Sequence, residues 1–225
     1  MSTSIFDKYN MGGVELSSRI VMAPLTRSRA IGNVPNDLIA EYYAQRASAG
    51  LIVAEGTSPS PEGLGYRNIP GIFSKEQAEK WAATPRAVHK KGGKIFLQLM
   101  HTGRVGNNNN LPEGAEVHGP SAKAMKGEVS TNTLGRQPYS LPIEMSINKI
   151  QNTIQDYVNA SRLAIEAGFD GIEIHGAHGY LPNQFMNIVS NLRNDEYGGT
   201  YEKNCRFALE VCQQVIEAIG AEKVG

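Results

Sequence analysis

A short apolar, β-prone run followed by an amphipathic helix recurs four times along this chain, and that repetition restricts its fold more than any other feature. The first unit pairs Arg19–Leu25 (RIVMAPL) with a helix predicted over Asp37–Ser48, where Leu38, Ile39, Tyr42 and Tyr43 share an apolar side. The second pairs Leu51–Ala54, entered from Gly50, with a helix capped by Ser74 and running to Lys91. Glu76 and Gln77 lie in its first turn and Trp81 and Val88 on its inner face, and Pro85 is expected to kink it. Gly92 and Gly93 end that helix and Lys94–Leu99 is the third strand. Its helix begins only after Ser146, with Ile150, Ile154, Tyr157, Val158, Ser161 and Ile165 at three-to-four spacing. Gly168 stops it, and the fourth unit follows as Gly171–Ile174 and a helix over Tyr201–Ile219 that carries Ala208, Val211, Cys212, Val215 and Ile219 on one face. Between the third strand and its helix, Thr102–Met145 is polar and rich in glycine and proline, with asparagine at all of 107–110. It is too long for a simple connection and predicts a lid or excursion with structure of its own.

Successive strand-helix units imply parallel strands joined by right-handed crossovers. The strands are apolar throughout, as burial on both faces requires. Two architectures remain, an open doubly wound sheet and a closed barrel. MAPLTRSR stands where a dinucleotide-binding sheet would carry G-x-G-x-x-G. Polar residues follow the end of every strand instead: Thr26, then Glu55–Thr57, then Gln98 and His101, then His175 and His178. That is the pattern of a TIM (β/α)8-type barrel, whose site is built at the C-terminal ends of its strands. The expected domain is therefore 1–225, one N-terminal portion of a barrel with an excursion at about 102–145. Only about the first four units are expected, because such barrels take roughly 250 residues and a fifth strand is expected to open at Lys223-Val224-Gly225. A half-barrel would leave apolar edges on its first and last strands, which invite pairing with another chain.

Lys plus Arg and Asp plus Glu both number 22 in 225 residues, so no net field draws nucleic acid or an anionic membrane. A small molecule is the expected ligand. No apolar stretch nears the roughly 20 residues of a membrane helix, and MSTSIFDKYN is no signal peptide, so the default location is cytoplasmic. Cys205 and Cys212 lie about two turns apart on one helix, too far for a disulfide.

Phe169–Tyr180, FDGIEIHGAHGY, places His175, His178 and Tyr180 in the loop after the fourth strand, the expected active-site face. Each residue also has a plainer reading. The histidines at i, i+3 could ligate a metal, but no third ligand follows at suitable spacing, and a hydrogen-bonded structural pair is the better of these plainer readings. Tyr180 alone reads as a packed tyrosine. Thr26 and Gln98 suit strand-end hydrogen bonding as well as a ligand contact. His101 and Arg104 are expected to anchor the long loop, and His89 and His118 to lie on the surface.

Four segments, APLTRSR (23–29), LQLMHTGR (97–104), GFDGIEIHGAHGYLPNQF (168–185) and NLRNDEYGG (191–199), together resemble the old yellow enzyme family of FMN-dependent ene-reductases. The resemblance runs in order from about Ile5 to Gly225. It implies an eight-stranded barrel with FMN across its C-terminal mouth, taking hydride from NADPH or NADH and passing it to an alkene conjugated to a carbonyl or nitro group. By the same resemblance His175 and His178 hold the acceptor oxygen, and Tyr180 protonates the carbon. Thr26 and Gln98 bond the flavin edge, main chain around Ala23, Pro24, Leu25 and Gly56 lines the ring, and Tyr66 lines the substrate pocket. Met100 stands where many relatives carry tryptophan, implying a roomier pocket. The family's flavin-contacting arginine belongs to a fifth strand and its phosphate loops to a seventh and eighth. A complementing chain or self-association is the expected way to complete the barrel. The alternatives are a non-catalytic half-barrel that self-associates and, more remotely, a metal-dependent barrel hydrolase, which lacks a carboxylate cluster at its strand ends.

Overall fold

The computed structural model describes residues 4–225. It opens with a hairpin, β1 (Tyr9–Met11) and β2 (Val14–Leu16), paired antiparallel. The turn is made by Gly12 and Gly13 at φ 59° and 104°, with Asn10 Oδ1 accepting the Gly13 N–H. No sequence-based expectation covered this hairpin. β3 (Val21–Met22), β4 (Leu51–Thr57), β5 (Ile95–Leu99) and β10 (Gly171–Ile174) then form one parallel sheet in the order β10-β5-β4-β3. Neighbours in space are thus successive units of the sequence, which is how a barrel wall is laid down.

Strand alternation sorts the sheet into two faces. Ile52, Ala54, Ile95, Leu97, Leu99 and Ile172 point outward into the core shared with the helices. Leu51, Val53 and Phe96 point the other way and pack with Leu16, Met11 and Val14 of the opening hairpin. The hairpin therefore closes the inner face at the N-terminal ends of the strands. Continuing by twos up the same face brings Glu55, Gln98 and Glu173 into view, and just beyond the strands Met100 and His175. Both faces read as apolar in sequence because one meets helices and the other meets the hairpin.

The helices form the outer layer. α1 (Asp37–Ala44) is capped by Asn36, whose side chain accepts the Ile39 N–H. It is shorter than expected, and Leu38 lies exposed, so its buried stripe is Ile39, Ala40 and Tyr43. The expected helix from Ser74 to Lys91 is two helices, α2 (Lys75–Trp81) and α3 (Ala83–His89), broken at Ala82. Pro85 explains the position of the break: it has no N–H for the Trp81 carbonyl and its ring crowds that turn. Ser74 and Gln77 form a capping box, and Trp81 donates its indole N–H to the Gly71 carbonyl at 3.1 Å. α4 (Ile147–Glu166), capped by Ser146, and α6 (Tyr201–Ile219), capped by Thr200, lie against each other with Phe207, Val211, Val215 and Ile219 in the core.

Two further sequence-based expectations are revised, the length of the first strand and the bare outer edge of β10. The first strand is only Val21–Met22, and residues 23–30 leave it as irregular chain although β4 beside them runs on to Thr57. Thr102–Met145 does carry structure: β6 (His118–Gly119) pairs in parallel with β9 (Ile143–Glu144), and β7 (Glu128–Ser130) forms a hairpin with β8 (Arg136–Pro138). Asn107 and Asn110 are buried there, Asn110 Nδ2 donating to the Gly65 and Ser130 carbonyls at 3.0 Å each. His89 lies exposed as expected and is paired there, its Nε2 2.7 Å from Asp170 Oδ2 beside Lys94 Nζ at 2.8 Å from Oδ1. The outer edge of β10 is not bare: Gly225 donates to the Ile172 carbonyl and accepts from the Ile174 N–H, both at 2.9 Å. Cys205 and Cys212 are free thiols. Among the described residues no helix is long and apolar enough to cross a membrane.

Candidate active site

The turn after β10 is held from two sides. His175 donates its backbone N–H to the Leu99 carbonyl at 3.0 Å, extending the β5–β10 ladder, and Leu181 donates to the His101 carbonyl at 2.9 Å. Gln184, fully buried on α5 (Leu181–Met186), donates to the Gly179 carbonyl at 2.7 Å and the Thr102 carbonyl at 2.8 Å while accepting from the Arg104 N–H. Asn183 accepts the Gly179 N–H at 3.0 Å. These contacts hold His178 and Gly179 at φ 56° and 77°, the left-handed region, which a histidine adopts only at a cost.

That backbone brings three rings together. The His175 ring stands edge-on to His178 at 5.1 Å and to Tyr180 at 4.8 Å between centroids. Tyr180 donates its hydroxyl to the Tyr66 hydroxyl at 3.2 Å. Burial, then the neighbouring Tyr180, push the Tyr66 phenol far above its ordinary range, so it stays protonated. His175 is buried, and burial followed by the proximity of His178 lowers its pKa, favouring the neutral ring. The Ala177 N–H points at His175 Nδ1, 3.3 Å away, which puts the remaining proton on Nε2. The ring is therefore a neutral donor, while His178 lies exposed beside it.

A cavity of about 510 Å³ opens here, lined among others by Thr26, Arg67, Tyr66, Tyr139 and Tyr180. Thr26 reaches it from the chain that leaves β3; Ala23, Leu25 and Thr26 are exposed and Pro24 half-buried. Glu55, fully buried at the end of β4, accepts the Arg27 N–H at 3.1 Å and the Tyr43 hydroxyl at 3.3 Å, pinning that segment. Burial raises the Glu55 pKa. Gln98 donates to Glu173 Oε1 at 2.7 Å across the β5–β10 register. Met100 and Gly56 lie behind the site rather than on its open surface. Met100 is buried with Leu64 and Ile69 beneath Tyr66 and Tyr180, and a Cβ on Gly56 would come within 2.7 Å of its sulfur.

The structure thus joins His175, His178, Tyr180 and Tyr66 in one cluster and puts Thr26 at the same cavity. Gln98 lies one strand position from that cluster. Sequence reasoning placed Glu55 among the polar residues ending the second strand without a role, and missed Glu173 and Gln184. Only Glu173 carried a usable signal, lying two residues before His175 and so on the same strand face. Among the described residues no group of three His, Cys, Asp or Glu side chains could hold a metal.

Comparison with known proteins fits this geometry. The NADH:flavin oxidoreductase / NADH oxidase family matches over residues 4–225. 12-Oxophytodienoate reductase 1 of Oryza sativa subsp. japonica is 47% identical over 218 residues, covering 96% of this chain and 56% of that protein. An old yellow enzyme homologue from Zymomonas mobilis superposes with a TM-score of 0.95 at 44% identity, over 99% of this chain and 62% of that one. Morphinone reductase in complex with tetrahydroNAD gives a TM-score of 0.95 at 42% identity, over 100% and 63%. The chain therefore spans about three-fifths of the length of the relatives it matches, and it belongs to the NADH:flavin oxidoreductase / NADH oxidase family.

Proposed function

We propose that this chain carries the flavin and substrate side of an FMN-dependent oxidoreductase that reduces activated C=C bonds, with NADPH or NADH as the hydride source. The observation that carries the reading is the joined set His175, His178, Tyr180 and Tyr66 at the mouth of the parallel sheet.

The donor set fits a flavin. Among the described residues Thr26 Oγ1, Gln98 Oε1 and His175 Nε2 have no partner, so one hydroxyl, one amide oxygen and one ring N–H are left for a ligand edge. When bound, FMN supplies a ring that stores and releases a hydride. Thr26 and Gln98 are proposed to hold the rim of that ring, and the exposed segment 23–26 to border it. His175 Nε2–H donates to the carbonyl or nitro oxygen of the alkene, with His178 as the second donor. Donors fixed in place before charge develops stabilise it most. Tyr180 then delivers the proton to carbon. Its bond to Tyr66 keeps the phenol oriented, and the deeper phenol cannot compete by ionising. Enones and nitroalkenes are the proposed substrates, and a second or complementing chain the proposed partner for completing the barrel.

The test is visible absorption of the purified chain after FMN is added and excess removed. A retained oxidised-flavin band is expected. Colourless protein, with its circular dichroism intact, would refute the proposal that these residues hold the cofactor.

A further inference from the structure

Glu173 is a half-buried carboxylate with an unusual neighbourhood. Its side chain accepts from Gln98 at 2.7 Å, and among the described residues no Lys, Arg or His nitrogen lies within 4.0 Å of it. The two residues are direct partners in the β5–β10 register, on the inner face, with His175 one pleat further along the same strand.

We propose that Glu173 is a positioning residue of the cofactor site: it locks the Gln98 amide with its oxygen toward the mouth, in the one orientation that can pair with a flavin edge. The inference rests on the flavin reading above. A carboxylate only accepts, so only one of the two amide orientations satisfies it; the flipped one would set oxygen against oxygen at 2.7 Å. Gln98 is 7% exposed, too enclosed for water to compensate a flip. The hydrogen bond to the carboxylate is charge-assisted, which strengthens the preference. Gln98 is left with Oε1 and one N–H. The pyrimidine edge of a flavin offers a ring N–H flanked by carbonyl oxygens, which that pair complements.

The experiment compares wild type with Glu173→Gln, Glu173→Ala, Gln98→Ala and the Gln98→Ala/Glu173→Ala double variant, each checked for folding by circular dichroism. In the cofactor-free chain the Gln98 side-chain amide proton should resonate downfield and move upfield in Glu173→Ala. On FMN titration, Glu173→Ala and Gln98→Ala should each weaken binding about tenfold, as for one hydrogen bond to a charged group, and the double variant no further. Glu173→Gln, isosteric and still able to accept from the Gln98 amide, should keep FMN affinity close to wild type. Unchanged FMN affinity in Glu173→Ala, losses that multiply in the double variant, or a loss in Glu173→Gln as large as in Glu173→Ala would overturn the inference. If wild type itself holds no FMN, the functional reading fails instead, and the amide resonances still decide: no difference between wild type and Glu173→Ala would sink the lock.

Discussion

At the scale of single residues, the histidines and Tyr180 were legible because a loop after a strand has little other reason to carry three hydrogen-bonding rings in six positions. Their supports were not legible. Glu55, Gln184 and Glu173 act across 28, 82 and 75 positions of sequence on Arg27, Thr102 and Gln98, and nothing local marks such pairings. Tyr180→Phe should lower turnover of a cyclic enone by about two to four orders of magnitude, the usual range for a general acid. Flavin reduction by NAD(P)H, followed by stopped flow, should be unchanged; loss of that half-reaction as well would argue against Tyr180 as proton donor. His101 gives a pH prediction. Its ring is fully buried, accepts the Gly103 N–H at Nδ1, and burial pushes its pKa down from 6.5 to about 3. A histidine depressed in the folded state contributes its full stability above the unfolded value near 6.5 and loses it as pH falls toward 3. His101→Asn keeps an acceptor and does not titrate. Thermal melts between pH 7 and 4 should therefore fall more steeply for wild type than for this variant, and parallel curves would refute the assignment.

At the scale of elements, caps and stops were the readable signals because their chemistry is local. Ser74, Ser146 and Gly168 bound helices where the sequence predicts, and α6 ends at Ile219 as its periodicity predicts. The strands were less legible. β3 shrinks to two residues because pairing with β4 ends after Met22↔Ile52, although β4 runs on to Thr57; Pro24 of RIVMAPL has no N–H to continue the ladder. The opening hairpin was missed because β1 and β2 are three residues each, too short for alternation to register. The capping box on α2 does more than start a helix: Gln77 Oε1 accepts the Phe73 and Ser74 N–H groups and its Nε2 reaches the Asn33 carbonyl at 3.2 Å. Ser74→Ala should cost about 1 kcal/mol in urea denaturation, the usual worth of a cap. Gln77→Ala, which strands buried donors as well, should cost more. The reverse order would mean that the Ser74 hydroxyl, not the Gln77 bridge, fixes the start of α2.

At the scale of the whole molecule, the parallel order of successive units was readable from repetition, whereas closure was not, because it depends on what lies beside the two outer strands. The two edges differ. β10 has Val224 and Gly225 bonded along it. Among the described residues β3 has no strand on its far side, and Ile20, Val21 and Leu25 there are 41%, 50% and 53% exposed. Free strand edges with apolar flanks pair with other chains unless a charge interrupts them. The 225-residue chain should therefore self-associate through β3 in sedimentation at tens of micromolar. Val21→Lys should shift it toward monomer, since a lysine on the edge blocks strand addition without removing a core contact. Leu209→Lys is the control, because Leu209 is 64% exposed on α6, away from any sheet edge, and association should be unaffected. If Leu209→Lys dissolved the assembly and Val21→Lys did not, the contact would run through the helical layer and β3 would not be the edge that another chain completes.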